Sequence, residues 1–359
     1  MTGGRTLGTW IGKGFPFMVR AMPTVLRSDA FKIVMYFTAV LLLGSLLAPW
    51  LYAGGKDLAA HFAGKPDQGF LPWLAAACDR SKFPRFFNRS LMLSAIVLMY
   101  PAIRWMRVGR GSLKFRDTPW SLRLPDSEVN LSEGQPLRRN PNGWRHLAIG
   151  FALAAGTLLL LGWGLVQAGT FDYAQKINLL KILKAAVIPA ILVSLIEETL
   201  FRGSFLGMFL RAMRPVTALV GLSLLFAFLH FLEPPSGVTV ADPRGATAGL
   251  WLLGQIVGHF ADPLPLLSEF ATLASVGLVL AYARWRTASL WLSIGLHSGW
   301  IFGIFLFKGF TRPVPGLSRF THFWIGDTLR EGLAPLAVVL LTGVIVHVLT
   351  RRDATRLGN

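Results

Sequence analysis

The feature of this sequence that most constrains its fold is a series of long apolar segments. A helix needs about 20 mostly apolar residues to cross the hydrocarbon core of a bilayer. Hydrophobic residues make up 53% of the chain and charged residues only 15%, whereas soluble domains carry about 25% charged residues. The sequence therefore predicts an all-α, polytopic integral membrane protein with about eight transmembrane helices, at 31–52, 90–106, 147–168, 184–204, 216–232, 268–283, 288–307 and 331–349.

The charge balance indicates how the chain is oriented. Its net charge is +18, from 36 Lys+Arg against 18 Asp+Glu. In a soluble protein this balance would suggest nucleic-acid binding. In a membrane protein the positive-inside rule explains it, because basic residues concentrate in the cytoplasmic loops. We therefore expect the lipid bilayer and no nucleic acid as a partner, with both termini on the cytoplasmic side of a bacterial inner (plasma) membrane.

Two parts of the chain are expected. Residues 1–146 contain two helices and a basic cytoplasmic loop, and residues 147–359 contain the other six helices. The amino terminus lacks the pattern of a signal peptide, so the first apolar run is expected to be retained. The apolar piece at 246–260 is short for a span and better suits an interfacial or re-entrant helix. The single cysteine, Cys78, cannot form an intramolecular disulfide.

Residues 195–203 place two carboxylates and a guanidinium inside an otherwise apolar segment. An ionisable group at membrane depth costs about 2.5 kcal/mol or more, so such groups are functional candidates. Glu198 and Arg202 are four apart and share a helix face, whereas Glu197 lies about 100° away. This spacing ties one glutamate to the arginine and leaves the other free to face a cavity. The alternative is an interfacial helix end, with Arg202 extending to the headgroups.

Two histidines complete the set of candidate residues. His230 follows Phe226 by four positions, and His297 lies in mid-span near Gly295 and Gly299. Gly295, Gly299 and Gly303 form two overlapping GxxxG patterns, which predict close packing on one neighbouring helix, and His297 points away from that face. Carboxylate and imidazole groups that meet in a dry cavity can activate water or stabilise an oxyanion. The same types of side chain also bind zinc.

Three motifs in order resemble those of the CAAX-protease and bacteriocin-processing (CPBP, or Abi) family of intramembrane endopeptidases. They are Glu-Glu-x-x-x-Arg at 197–202, Phe-x-x-x-His at 226–230, and the later His297. The resemblance covers roughly 184–307 and implies a peptidase whose site lies inside the helical bundle. It implies that Glu197 is the base that activates water and that His230 assists it. Glu198 and Arg202 would then support the site, and His297 would help to form the oxyanion hole.

The cofactor remains open, because the family is described both as metalloproteases and as glutamic proteases. There is no His-Glu-x-x-His zinc motif, and we expect a reaction that requires no cofactor. The alternative is zinc bound by Glu198, His230 and His297.

One position departs from the family pattern. The family usually carries an asparagine or a similar polar residue four positions after the last histidine, where this chain has Ile301. Ser293, four positions before His297, shares its helix face and is a candidate substitute. If the asparagine donates to the oxyanion, its loss would cost on the order of 10²–10³ in rate.

The sequence is therefore compatible with three functions. The first is an endopeptidase for peptide or membrane-tethered protein substrates, and the second is a weak or inactive relative with a binding, chaperone or transport-associated role. The third, a serine protease using Ser223, is disfavoured because Ser223 and His230 lie about 10 Å apart along one helix. A prenylated substrate does not follow from the sequence, and neither does the oligomeric state.

Overall fold

The computed structural model describes residues 29–64, 69–105, 140, 142–232, 234, 237–259, 267–316, 323–326, 328–330 and 332–351. This part of the chain is almost entirely helical, which confirms the all-α prediction. The helices are α1 (Asp29–Phe62), α2 (Phe70–Asp79), α3 (Phe83–Trp105), α4 (Gly143–Gln167), α5 (Leu179–Glu198), α6 (Leu206–Ala212), α7 (Pro215–His230), α8 (Ala248–His259), α9 (Leu267–Thr287), α10 (Leu290–Phe310) and α11 (Leu333–Leu349). A π-helical segment, Thr199–Phe205, joins α5 to α6, and β1 (Phe171–Tyr173) pairs antiparallel with β2 (Thr311–Pro313).

Five of the described helices are long and apolar enough to cross a membrane, namely Phe31–Phe62, Gly143–Gln167, Leu179–Leu210, Leu267–Thr287 and Leu290–Phe310. The three other predicted spans correspond to α3, α7 and α11. Of these, α7 and α11 have 16 and 17 residues, so both are short for a span. The protein is a polytopic membrane protein, and the number of eight spans stays a prediction.

The described residues fall into two compact units. The first draws on Met1–Val108 and Gly237–Leu253, and the second on Gly109–Ser236 and Gly254–Asn359. The predicted division at 146/147 stays a prediction. The two packing units differ from this predicted division in one way: residues 237–253 belong to the same unit as the amino-terminal helices. Most of the expected linker at 107–146 lies outside the described residues.

In the first unit, α1 packs closely on α3. A Cβ at Gly44 would lie 2.8 Å from the Leu91 Cα, so only glycine permits this approach. The Ser90 hydroxyl donates to the Gly44 carbonyl at 2.6 Å, and the Tyr36 hydroxyl donates to the Ala95 carbonyl at 2.8 Å. The sequence predicts that the first span ends near residue 52, but α1 continues to Phe62. The apolar piece at 246–260 forms the 12-residue α8.

In the second unit, α10 is the most buried helix and packs on α4 through its glycines. A Cβ at Gly295 would lie 2.3 Å from the Leu147 carbonyl oxygen, and a Cβ at Gly299 would lie 2.5 Å from that of Phe151. These distances confirm that the GxxxG face packs against one neighbour at backbone contact. They also leave the opposite face of α10, which carries His297, directed towards α5.

The fourth predicted span is longer than the sequence indicated. α5, the π-helical segment and α6 together form one helical run, and Leu179–Leu210 has the length and hydropathy of a span. Glu197 therefore lies near the middle of this run and not at its end. The predicted bounds, 184–204 and 216–232, place Glu197 towards the inner end of its span and His230 towards the outer end of the next, whereas in the structure the two side chains meet.

Candidate active site

The five predicted site residues come from three helical stretches and meet in the second unit. Glu197 and Glu198 end α5, and Arg202 lies in the π-helical segment that follows. His230 is the last residue of α7, and His297 lies in the middle of α10. Asparagine caps the start of α5, since the Asn178 side chain accepts from the Lys181 N–H, and Pro215 begins α7 at a position where its missing N–H costs nothing.

The π-helical segment begins directly after the two glutamates. π-Helical turns are rare and occur frequently at functional sites. Here the segment spans seven residues, Thr199–Phe205, and the Ser204 hydroxyl donates to the Thr199 carbonyl at 3.3 Å. It carries Arg202 within reach of Glu198 and widens the helix where the site is built.

Glu198 and Arg202 form a fully buried ion pair. Arg202 Nη1 donates to Glu198 Oε1 at 2.8 Å, and both side chains are 0% exposed. Arg202 Nη2 donates to the Gly277 carbonyl of α9 at 3.1 Å. A Cβ at Gly277 would lie 3.0 Å from the Ser223 Cα, so the missing side chain lets α9 pack closely against α7. Because Arg202 is buried inside the bundle, the interfacial interpretation of residues 195–203 is wrong.

His297 connects this pair to the second glutamate. Its Nδ1 lies 2.8 Å from Glu198 Oε1, the oxygen that also accepts from Arg202. A carboxylate accepts hydrogen bonds, so this contact places a proton on Nδ1 and turns Nε2 towards Glu197. His297 Nε2 lies 3.8 Å from Glu197 Oε2.

His230 approaches Glu197 in the same way from the other side. Its Nδ1 lies 2.9 Å from the Phe226 carbonyl oxygen, which again places a proton on Nδ1. The opposite nitrogen, Nε2, lies 3.9 Å from Glu197 Oε2. One carboxylate oxygen thus faces the Nε2 atoms of two histidines, each beyond direct hydrogen-bond distance.

Exposure divides the cluster into an outer and an inner layer. The side chains of Glu197 and His230 are 26% and 25% exposed, whereas that of His297 is 7% exposed and those of Glu198 and Arg202 are 0% exposed. Among the described residues, Glu197 Oε2 has no hydrogen-bond partner. The outer layer is therefore able to meet water and substrate, and the inner layer holds it in position.

Phe226 is a central residue whose contacts the sequence did not reveal. The Arg202 guanidinium carbon lies 4.5 Å from the centre of its ring, a distance at which a cation is attracted to an aromatic face. The same ring lies 4.4 Å from the ring of His230 and 6.1 Å from that of His297. The Phe-x-x-x-His spacing in the sequence predicts the contact between Phe226 and His230. No sequence pattern indicated the contacts with Arg202 and His297.

Ser293, which the sequence places on the same face of α10 as His297, is buried like that histidine. Its side chain is fully buried, and its hydroxyl donates to the Leu290 carbonyl at 3.0 Å. Ile301, one turn beyond His297, is half-buried. The hydroxyl of Ser223 donates to the Leu219 carbonyl within its own helix.

The zinc set that the sequence suggested does not fit this geometry. Glu198 Oε1 already accepts from Arg202 and His297, and His297 meets Glu198 through Nδ1 while its Nε2 faces Glu197. His230 Nε2 is directed at Glu197 and not at Glu198. In the described ranges no three His, Cys, Asp or Glu side chains are grouped to hold a metal ion. Glu198, His230 and His297 therefore do not share one coordination centre.

A comparison with protein families agrees with the motifs. Residues 179–303 match the model of a family described as Type II CAAX prenyl endopeptidase Rce1-like. The match covers about a third of the 359 residues and includes all five residues of the cluster. It confirms the resemblance to CAAX proteases over almost the same residues from which that resemblance was drawn. No curated protein and no solved structure matches the chain.

Proposed function

We propose, from the Rce1-like match at residues 179–303, that this membrane protein is an intramembrane endopeptidase that cleaves peptide or membrane-tethered protein substrates with an activated water molecule. The family match supports a peptidase of the CAAX type. The observation that carries the proposal is the environment of Glu197. Its Oε2 is buried, lacks a hydrogen-bond partner among the described residues, and lies 3.8 and 3.9 Å from the Nε2 atoms of His297 and His230.

The proposed water lies between Glu197 and His230. Two polar atoms 3.9 Å apart are too distant for a direct hydrogen bond, but one water can bond to both. With Nδ1 protonated, a neutral His230 offers a lone pair at Nε2, so the water donates one proton to Glu197 and the other to His230. Both hydrogen bonds raise electron density on the water oxygen and direct its remaining lone pairs towards a substrate carbonyl.

The proposed reaction then moves one proton twice. Glu197 takes a proton from the water as the oxygen bonds to the scissile carbonyl carbon, which gives a tetrahedral oxyanion. When the carbon–nitrogen bond breaks, Glu197 returns the proton to the leaving amine. The carboxylate is thereby regenerated, and the products are a carboxylic acid and an amine.

His297 is proposed to stabilise the oxyanion. It donates from Nε2 when that atom carries a proton, and the resulting positive charge is balanced by Glu198 at Nδ1. Glu198 is itself held by Arg202, so the ring of His297 has one orientation. Preorganised donors of this kind are worth on the order of 10²–10³ in rate. No metal is required for these proposed steps.

Both termini of the protein are proposed to face the cytoplasm.

Replacement of Glu197 by glutamine tests the proposal. The variant keeps the size and burial of the side chain but cannot take a proton from water. Cells that express Glu197→Gln in place of the wild-type protein should accumulate a precursor that wild-type cells process. The matched control is Glu269→Gln, which neutralises an acid of α9 that pairs with Arg330 outside the cluster. Loss of processing in both variants, or in neither, would contradict the proposed role.

A second function is a relative that binds peptides without cleaving them. The observation that favours it is Ile301, an apolar residue where the family usually carries a polar one. In this case Glu197→Gln would leave the biological activity intact, and the purified wild-type protein would bind peptides without releasing products. Mass spectrometry of peptide mixtures incubated with the protein distinguishes the two functions.

A further inference from the structure

Arg284 is a buried cation that the proposed active site does not use. It lies in the last turn of α9 and is only 3% exposed. Its Nε and Nη1 atoms are buried and have no hydrogen-bond partner in the part of the chain that the structure describes. A guanidinium keeps its charge in proteins, so it cannot escape burial by losing a proton. An unpaired buried charge is expensive, and a native structure therefore supplies an anion for it.

The other polar groups near this turn are already paired with one another. The Thr287 hydroxyl contacts the carbonyls of Ala283 and Ser289 at 2.8 and 3.1 Å. The Asn140 amide donates to the Ser289 hydroxyl at 3.0 Å and lies 3.2 Å from His146 Nδ1. The unused donors of Arg284 thus lie beside polar groups that hydrogen-bond to one another and not to the guanidinium.

Arg286, in the same turn, leaves a donor unused as well. Its Nη2 lies 3.4 Å from the Thr350 carbonyl oxygen, but its Nε is buried and has no partner among the described residues. Two neighbouring arginines therefore provide three buried N–H-bearing atoms, Nε and Nη1 of Arg284 and Nε of Arg286, that no described residue satisfies.

No described carboxylate of the second unit is available to them. Glu269 is in the first turn of α9 and pairs with Arg330, and it is 15 residues, or about 22 Å, from Arg284 along the helix. Asp172 is on β1, beyond the far end of α4. Glu197 and Glu198 belong to the active-site cluster. No described carboxylate of the second unit therefore supplies the anion.

The position of Arg284 points to the lipid headgroups. α9 ends here and both α4 and α10 begin here. The Trp144 and Trp291 rings are in contact, tilted by 44° with centres 5.0 Å apart, and Trp285 adjoins Arg284 in the chain. Tryptophans of this kind concentrate at the membrane–water interface.

We propose that Arg284, assisted by Arg286, binds the phosphate of an anionic phospholipid. Basic pockets between transmembrane helices on the cytoplasmic side bind such headgroups, and the positive-inside rule predicts that this end is cytoplasmic. The phosphate oxygens accept the donors that the protein leaves unused, and its charge offsets the buried guanidinium. This site is distinct from the Glu197 cluster, and the proposal does not rest on the proposed peptidase activity.

Thermal unfolding of the purified full chain in detergent, titrated with phosphatidylglycerol, tests this site. Phosphatidylglycerol should raise the midpoint of thermal unfolding, and phosphatidylcholine and inorganic phosphate should raise it less. Arg284→Gln should lower the affinity for phosphatidylglycerol by about 10- to 100-fold, the loss of one charge-assisted hydrogen bond. Without lipid, Arg284→Gln should be at least as stable as the wild type, because the variant no longer buries an unpaired charge.

Arg351→Gln is the matched control, since it removes an exposed arginine next to Thr350 at the same end of the unit. It should retain the response to phosphatidylglycerol. An equal loss in both variants would show attraction to a charged surface and overturn the site, as would an equal response to inorganic phosphate. If Arg284→Gln does not fold, native mass spectrometry of the wild type decides. A wild type that retains no phosphatidylglycerol, or no more of it than of phosphatidylcholine, would overturn the proposal.

Discussion

Replacement of Arg202 by methionine should destabilise the protein much more than replacement of Arg202 and Glu198 together. The two side chains are 0% exposed and joined at 2.8 Å, so the loss of Arg202 leaves a buried carboxylate with only His297 as a partner. Breaking a buried pair from one side costs about 3–5 kcal/mol, whereas replacing both partners with neutral groups is often close to neutral. We therefore expect Arg202→Met and Glu198→Gln each to lose about 3–5 kcal/mol of unfolding free energy, and the double variant to lose less than either.

Reversible unfolding in mixed micelles measures the unfolding free energies of the wild type, the two single variants and the double variant, which together form a double-mutant cycle. The matched control is the ion pair Arg244–Asp57. Its nitrogen and oxygen atoms lie 2.7 Å apart, but its side chains are 56% and 65% exposed. Its coupling should be only about 0.2–1 kcal/mol. If the losses at Arg202 and Glu198 simply add, or if they are as small as those of the exposed pair, the reasoning about the inner layer is refuted.

Three further predictions concern single residues. Gly299→Leu should cost about 1–3 kcal/mol or more in unfolding free energy, because its Cβ would lie 2.5 Å from a carbonyl oxygen of α4, whereas Gly156→Ala in α4, with nothing within 4 Å of the added Cβ, should be neutral or stabilising. Ile301→Asn should increase the rate of peptide cleavage, by up to about 10²-fold if the amide reaches the oxyanion, and an unchanged rate would mean that this position does not limit the reaction. Phe226→Leu should lower the unfolding free energy by about 1–2 kcal/mol through the lost contact with the Arg202 guanidinium, and a cleavage rate that falls with unchanged stability would instead indicate a direct role.

Part of this structure follows from local sequence patterns. The apolar segments predict the helices because irregular backbone cannot face lipid. The spacing of Glu198 and Arg202 predicts their ion pair. The spacing of the α10 glycines predicts close packing on one neighbouring helix, which in the structure is α4, and the opposite direction of His297. Each of these inferences uses residues within one or two turns of a single helix, where geometry is fixed by the helix itself.

The features that were missed depend on contacts between distant segments or on unusual helix geometry. The shared position of the Phe226 ring between Arg202 and His297 joins three helical stretches, and no local period indicates it. The π-helical segment has no sequence signature, since its residues read as ordinary helix. α1 runs on beyond residue 52 through a glycine pair and charged residues, where Lys56 donates to the Asp79 carbonyl at 2.5 Å. The sequence predicts the end of the helix near residue 52 because these polar residues end the apolar segment.

The π-helical segment has a consequence for how this region tolerates genetic change. A wide turn differs from an α-helical turn by one residue, and each residue of an α-helix turns the chain by about 100°. Deletion of a single codon between Glu198 and Arg202 would turn Arg202 and the residues after it by about 100° around the helix relative to the two glutamates, even though every remaining amino acid is unchanged. Exchange of Thr199 or Leu200, by contrast, leaves the register intact. The length of this stretch is therefore under a stricter constraint than the identity of most of its residues.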